Sequence, residues 1–448
     1  MIEFLESIKT EVFKHRPVLK EIADRHSGES LYEYIKSGWQ VPNVAPDPLF
    51  LDCLESALTE VYGTEISEQA RHQLEAKPLV STIDHHGIWG HPFFVNSALI
   101  YSLYFEPNEL VLTLGTESVS LNNITSWSGC LMWHNNDLAF KRRSFFPDRL
   151  KTLPVFSAPP IGEKAVQKVL AKLPAKGIIE AMAFNQAYGF PNFSSQACVL
   201  SHNLWRKVFP SAPALVYFPL ERLVSMYLLK IFKDPGHALT KLVLSKEGRK
   251  LWQKYFSNEH TFLFWGIDGK GRRVRLDKLD GAGSELIKKI KTGQIYPSSP
   301  LCFAALLCAG LACAGGFNQT TWLTRVKGQL ADLFEEMGKT SPDISGVPTK
   351  NFAESSLAWL SGGQVGYFQP TAIDLYLSGK DYYPIFSRFA QKLKLGQSLD
   401  LAMPTIYSVV VPAEERVPGF NIQAREKEVF ESLGIGHIYK DLLTDGLN

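Results

Sequence analysis

Three of the chain's eleven histidines, His85, His86 and His91, fall within seven residues, and Asp84 immediately precedes them. Imidazoles and a carboxylate this close together can do one of three things. Asp84, His86 and His91 make a two-histidine, one-carboxylate set that suits a divalent metal (zinc, iron or manganese) with positions left open for substrate. Alternatively the group moves protons without a metal: His85 is then the acid–base candidate, beside a helix N-terminus able to seat an anion. The third reading is structural, with the rings holding the turn by hydrogen bonds.

The elements around these residues decide which side chains can meet. Val80 to Ile83, after Pro78, reads as a short buried strand. Gly87 and Gly90 allow a tight turn, and Pro92 belongs at the first position of a helix over 92–105 that is apolar nearly all round. At an extended strand end, Asp84 and His86 face one side and His85 the other, and the glycine turn brings His91 back toward them. His91 itself falls at the helix N-cap, a position that Ser, Thr, Asp or Asn fill better. Its presence there points to another task.

A second, largely apolar run, Leu110 to Leu114, completes a strand–helix–strand unit, which predicts parallel strands and a right-handed crossover. The expected fold is therefore α/β, with a central mostly parallel sheet whose βαβ unit spans residues 79–114, and helix-rich regions before and after it. Ligands of such sheets bind beyond the carboxyl ends of the strands. That edge should receive Glu117, Asn122 and Asn123 after the second strand. Asn185 would join them from the segment 177–184, which reads as either strand or helix. After the run Ala214–Phe218, Glu221 opens the helix Arg222–Phe232. There it either complements the helix dipole or serves as a carboxylate ligand or base. Hairpins are expected at 131–143 and 262–276. Lys141-Arg142-Arg143 reads as the solvated end of the first rather than as a group that neutralises a carboxylate or phosphate, and Arg273 and Arg275 as a charged edge of the second rather than as an anion site. The uncharged stretch Leu301–Phe317 reads as one buried helix closed by Gly315 or Gly316, with Asn318 and Gln319 available to a ligand.

By regions, 1–77 reads as helical, with Pro17 splitting its first helix and Ser67 capping its last. Residues 78–235 form the α/β core that carries the site, and 236–448 is helix-rich, with the loop 340–348 as a candidate linker. The 448 residues include 47 basic and 45 acidic side chains, a net charge of +2. No global field steers such a chain to nucleic acid or a membrane. The N-terminus lacks the basic start and apolar run of a signal peptide. Six cysteines without a Cys-x-x-Cys pair indicate neither a zinc knuckle nor a disulfide framework, so a reducing cytoplasm is expected.

Two short peptides resemble family signatures. Asp84-His85-His86 resembles the tripeptide of the DHH phosphoesterases, which also need aspartates on earlier strands. Asp24, Asp47 and Asp52 offer no Asp-x-Asp arrangement. Leu360-Ser-Gly-Gly-Gln364 resembles the signature peptide of ABC transporter ATPases, but the chain has no phosphate loop, so a Gly-Gly turn is the better reading. Neither family's activity carries over. The expected function is an enzyme acting on a small polar metabolite by metal-assisted hydrolysis or a lyase reaction. The alternative is a non-catalytic ligand-binding or assembly protein with a structural histidine cluster.

Overall fold

The computed structural model describes residues 2–123, 129–134, 137–171, 182–256, 262–277, 279, 283–338, 344–362 and 366–439. In chain order the strands are β1 (Leu79–Ser81), β2 (Leu110–Gly115), β3 (Gly129–His134), β4 (Asp137–Ser144), β5 (Ala214–Pro219), β6 (Phe264–Ile267), β7 (Arg273–Leu276), β8 (Ile295–Pro297), β9 (Ala312–Ala314), β10 (Leu360–Gly362) and β11 (Gly366–Phe368). The helices that frame the site are α1 (Ile2–His15), α2 (Pro48–Tyr62), α3 (Pro92–Ser102), α4 (Phe193–Val208), α5 (Leu220–Ile231), α6 (Ser299–Cys308), α7 (Phe317–Glu336), α8 (Leu395–Val410) and α9 (Ile422–Ser432).

The central sheet has the order β5-β2-β1-β9, and every neighbouring pair is parallel. Side chains alternate between its two faces, so each strand feeds two cores. Leu79, Val111, Leu215, Tyr217, Ala312 and Ala314 join the core that contains α3, most of α4, and α8. Val80, Leu112, Val216, Phe218 and Cys313 join the core with α2, α5 and α6. Burial on both faces is what a parallel sheet needs, and it explains why the strands read as continuous apolar runs.

The chain builds this sheet outward through β1, β2 and β5, then returns to place β9 on the free side of β1. The direction of construction therefore reverses between β1 and β9. At such a switch point the loops leaving the two strands run to opposite sides and open a crevice at the carboxyl edge.

The α/β expectation and the βαβ unit hold. Pro17 does split the first helix. Both hairpins form, and β7 lies at the edge of the three-stranded sheet β7-β6-β8. The helix before β1 starts at Thr64 rather than at a Ser67 cap, and Ser67 Oγ bonds instead to the Thr64 carbonyl at 2.9 Å.

The largest departure is at Leu301–Phe317, which is not one helix. Helix α6 stops at Cys308, Gly310 turns the chain at φ 77°, and Ala312–Ala314 becomes the fourth parallel strand. Gly316 is then the N-cap of α7 and not the end of the helix before it. A left-handed glycine ends a helix at little cost, and small residues fit a strand buried on both faces. The segment 177–184 lies mostly outside the described residues, as does the first part of the 340–348 loop. Among the described residues, no helix is long and apolar enough to cross a membrane.

Helix α3 is buried at every position but Phe93, as its apolar composition requires. Its one amide, Asn96, joins it to the C-terminal third. The Asn96 Oδ1 accepts from the backbone N–H groups of Leu357 and Ala358, both at 2.6 Å, and Nδ2 donates to Gln369 Oε1 at 3.0 Å. Replacing Asn96 with Leu keeps the volume but leaves two buried N–H groups without an acceptor. We expect urea melts of Asn96→Leu to show a loss of about 2–5 kcal/mol. A loss below about 1 kcal/mol would mean that this contact does not anchor the segment.

Candidate functional site

The site is built on backbone pairing that continues past the end of β1. Thr116 N donates to Asp84 O at 2.9 Å, and His86 N donates to Thr116 O at 2.8 Å. Residues 84–86 are thereby held extended against the end of β2, so their side chains must alternate. Tyr217 Oη, donating to the His85 carbonyl at 2.7 Å, fixes the same stretch from β5.

His86 faces the packed side. Its ring stacks on Tyr217 (centroids 4.9 Å apart, planes 12° apart), and Nε2 lies 2.8 Å from the Ser194 carbonyl at the start of α4. Burial lowers its pKa to about 4. Asp84 is also buried, and desolvation holds its carboxyl well above the usual range. His85 faces the other way, into a cleft of about 980 Å³ at the carboxyl ends of β1 and β9.

His91 lines that cleft too. It is the N-cap of α3, and its Nδ1 accepts from Phe93 N at 3.2 Å. Burial, then the nearby Arg142 guanidinium, push its pKa down to about 3. An Nδ1 that accepts a hydrogen bond places the proton of the neutral ring on Nε2. The rings of His85 and His91 both stand edge-on to Phe94, at 5.8 and 6.3 Å. The structure thus groups His91 with His85 and not with Asp84 and His86. The expected metal set is not assembled: among the described residues, the one group of three ligand side chains within coordination range of each other is Glu11, His15 and Glu415, outside this loop. The capping role also weakens the argument from His91's position, because His237 caps another helix in the same way, accepting from Leu239 N at 3.2 Å.

Asn123 is placed as a support rather than as a ligand-binding residue. Its Oδ1 lies 3.0 Å from His85 Nδ1, and a carbonyl oxygen can only accept there. The neutral His85 ring then carries its proton on Nδ1 and leaves Nε2 as the basic nitrogen. Burial lowers the pKa of His85, which keeps the ring neutral near pH 7. Asn122 is exposed and bonds to Ser120 Oγ, and Asn185 is exposed on a short helical turn. Neither lines the cleft.

Glu117 and Glu221 reach the expected edge but sit between β2 and β5, beside the cleft rather than in it. Glu221 uses both oxygens to accept backbone N–H groups, from Glu117 at 2.8 Å and Ser118 at 3.1 Å. It is a clamp on the turn after β2. Glu117 accepts from Ser194 Oγ at 2.8 Å through Oε2, and its buried Oε1 has no hydrogen-bond partner among the described residues.

The other wall of the cleft comes from far along the chain. At the β9 end, Gly316 caps α7 without a side chain, and the Glu354 carboxylate does the capping instead, accepting from Phe317 N at 2.7 Å. A Cβ at position 316 would meet that carboxylate, which would have to shift and give up the cap. Gln319, singled out from the sequence, bonds to Thr82 across the switch point. Arg142, read as a solvated hairpin end, instead lines the cleft, as do Arg416 and Glu426. Glu354, Arg416 and Glu426 carry no local signature, and only the topology brings them to His85.

Burial, then the neighbouring Glu221, push the Glu117 pKa up to about 8. The unfolded chain releases this proton near pH 4.3. Between about pH 4.5 and 8 the native state therefore holds a proton that the unfolded state has lost, and stability falls as the pH rises. In Glu117→Gln, the melting temperature should fall less over that window than in wild type. Parallel profiles would show that Glu117 is not protonated in the native state.

No protein-family model, curated protein or solved structure matches the chain.

Proposed function

We propose that the protein is an enzyme acting on a small molecule bound in the β1–β9 cleft, with His85 as its general base. The observation that carries this reading is the Asn123–His85 pair at the cleft wall. It orients a neutral imidazole with Nε2 unprotonated, which is the form a general base needs. Hydrolysis and elimination both begin with such a proton abstraction, from water or from a carbon acid. Thr82, Thr116, Gln319 and Gln369 supply hydrogen-bonding groups along the wall, and Phe93, Phe94 and Trp322 supply apolar surface. That mixture fits an organic metabolite with a polar end. No step is assigned to a metal, because Asp84, His86 and His91 do not share a coordination sphere.

The test is depletion of metabolites from a defined small-molecule mixture, followed by mass spectrometry, for wild type and His85→Gln. Glutamine keeps hydrogen-bonding capacity but is not a base. The expected result is turnover by wild type that drops at least about a hundredfold in the variant, with the melting temperature changed little. A variant that keeps turnover within about threefold of wild type would remove His85 from the chemistry.

A further inference from the structure

Glu11 and His15 lie four residues apart on α1, so their side chains stand one above the other on one face of the helix. The short helical turn Ala413–Glu415, beyond the end of α8, brings Glu415 against that face. One ring nitrogen of His15 and one carboxylate oxygen from each glutamate lie within 4.8 Å of one another. Three potential ligands from opposite ends of the chain thus converge on one point.

The contacts within this group leave it unfinished. His15 Nε2 is shut off from solvent, yet it has no hydrogen-bond partner among the described residues. It stands 4.0 Å from Glu415 Oε2, too far for a hydrogen bond. A buried polar atom without a partner is costly, and an ion held between the imidazole and the carboxylate would supply one. Two ligands of one tetrahedral zinc ion stand about 3.3 Å apart, so only a small adjustment is needed. The glutamate side chains are exposed enough to make it, 40% for Glu11 and 49% for Glu415. Lys14 also reaches Glu11, at 3.6 Å, but its side chain is 65% exposed and a pair so solvated is weak. The His15 side chain as a whole is 28% exposed, which leaves water access to the remaining coordination position. One imidazole with two carboxylates suits zinc, whereas magnesium and calcium take oxygen ligands.

We propose that Glu11, His15 and Glu415 form a zinc site, completed by water, that fastens the C-terminal segment to α1. The surrounding contacts already join these elements. Lys9 pairs with Asp400 of α8 at 3.1 Å, and the Phe4 ring stacks on Phe420 with centroids 6.2 Å apart. Arg416, next to Glu415, lines the cleft, as do Ile422, Gln423 and Glu426. The ion therefore ties the C-terminal wall of the cleft to the N-terminal helix. Its role is structural, and it stands whether or not the cleft is the substrate site.

The test is calorimetric titration of zinc chloride at pH 7.5 into the full-length protein, freed of metal with EDTA and carrying no affinity tag. The expected result is one zinc ion per chain, bound in the micromolar range or tighter. Zinc at a hundredfold excess over Kd should then raise the melting temperature by about 2–3 °C. His15→Ala and Glu415→Gln should each weaken zinc binding at least about tenfold, since losing an outer-shell partner already costs that much. Glu415 lies on an exposed turn, so its variant tests the site even if His15→Ala fails to fold. His85→Gln, in the cleft, should keep the wild-type affinity. No zinc bound at millimolar concentration, affinity unchanged in both site variants, affinity that falls instead with His85→Gln, or magnesium binding as tightly as zinc would each overturn the proposal.

Discussion

The pairing of Thr116 with both Asp84 and His86 decides the chemistry available at this sheet edge. Two backbone hydrogen bonds keep residues 84–86 extended, and extension forces consecutive side chains to opposite sides. His86 is thereby committed to the Tyr217 ring and the start of α4, and His85 to the cleft. Were this stretch to curl one residue earlier, the two rings would exchange environments. The histidine that meets a ligand would then lack Asn123 behind it. The reversal of strand order between β1 and β9 supplies the rest, because it leaves a gap at the edge to which His85 is directed.

Desolvation is the second governing effect. His85 and His91 are held neutral by burial, while Asp84, Glu354 and Glu426 are driven toward their protonated forms. A cleft so arranged holds hydrogen-bonding groups at little electrostatic cost. Polar groups gathered for a ligand, and incompletely satisfied without it, are the local inconsistencies that a functional site carries. Glu221 shows the contrasting case: each of its oxygens accepts a backbone N–H, and the residue does not line the cleft.

Much of the frame was legible in the chain itself. The β-branched runs, the Gly87–Gly90 turn and Pro92 located β1, the loop and α3, and strand alternation separated His85 from His86. The strand β9 was hidden because Ala, Cys and Leu without charges suit a buried helix as well as a buried strand. The deciding residue, Gly310, turns the chain only in its tertiary setting. Within the site, the local cluster was visible but its sorting was not. Spacing brings His91 back toward the loop but does not fix on which side it returns, and in the structure its ring stands against Phe94 beside that of His85. Glu354 and Glu426 could not be found locally, since they reach the site through the sheet topology and the fold of the C-terminal helices.

The central claim is that the crevice between β1 and β9 is where this protein meets its ligand. A crystallographic fragment screen measures that most directly, because it locates small molecules without presuming a reaction. The account predicts that bound fragments concentrate between His85, Trp322 and Glu354, with polar atoms on the Glu354 side. Fragments that gather instead at another surface depression, such as the basic one formed by Lys246, Arg249 and Lys250, with the crevice left empty, would contradict it.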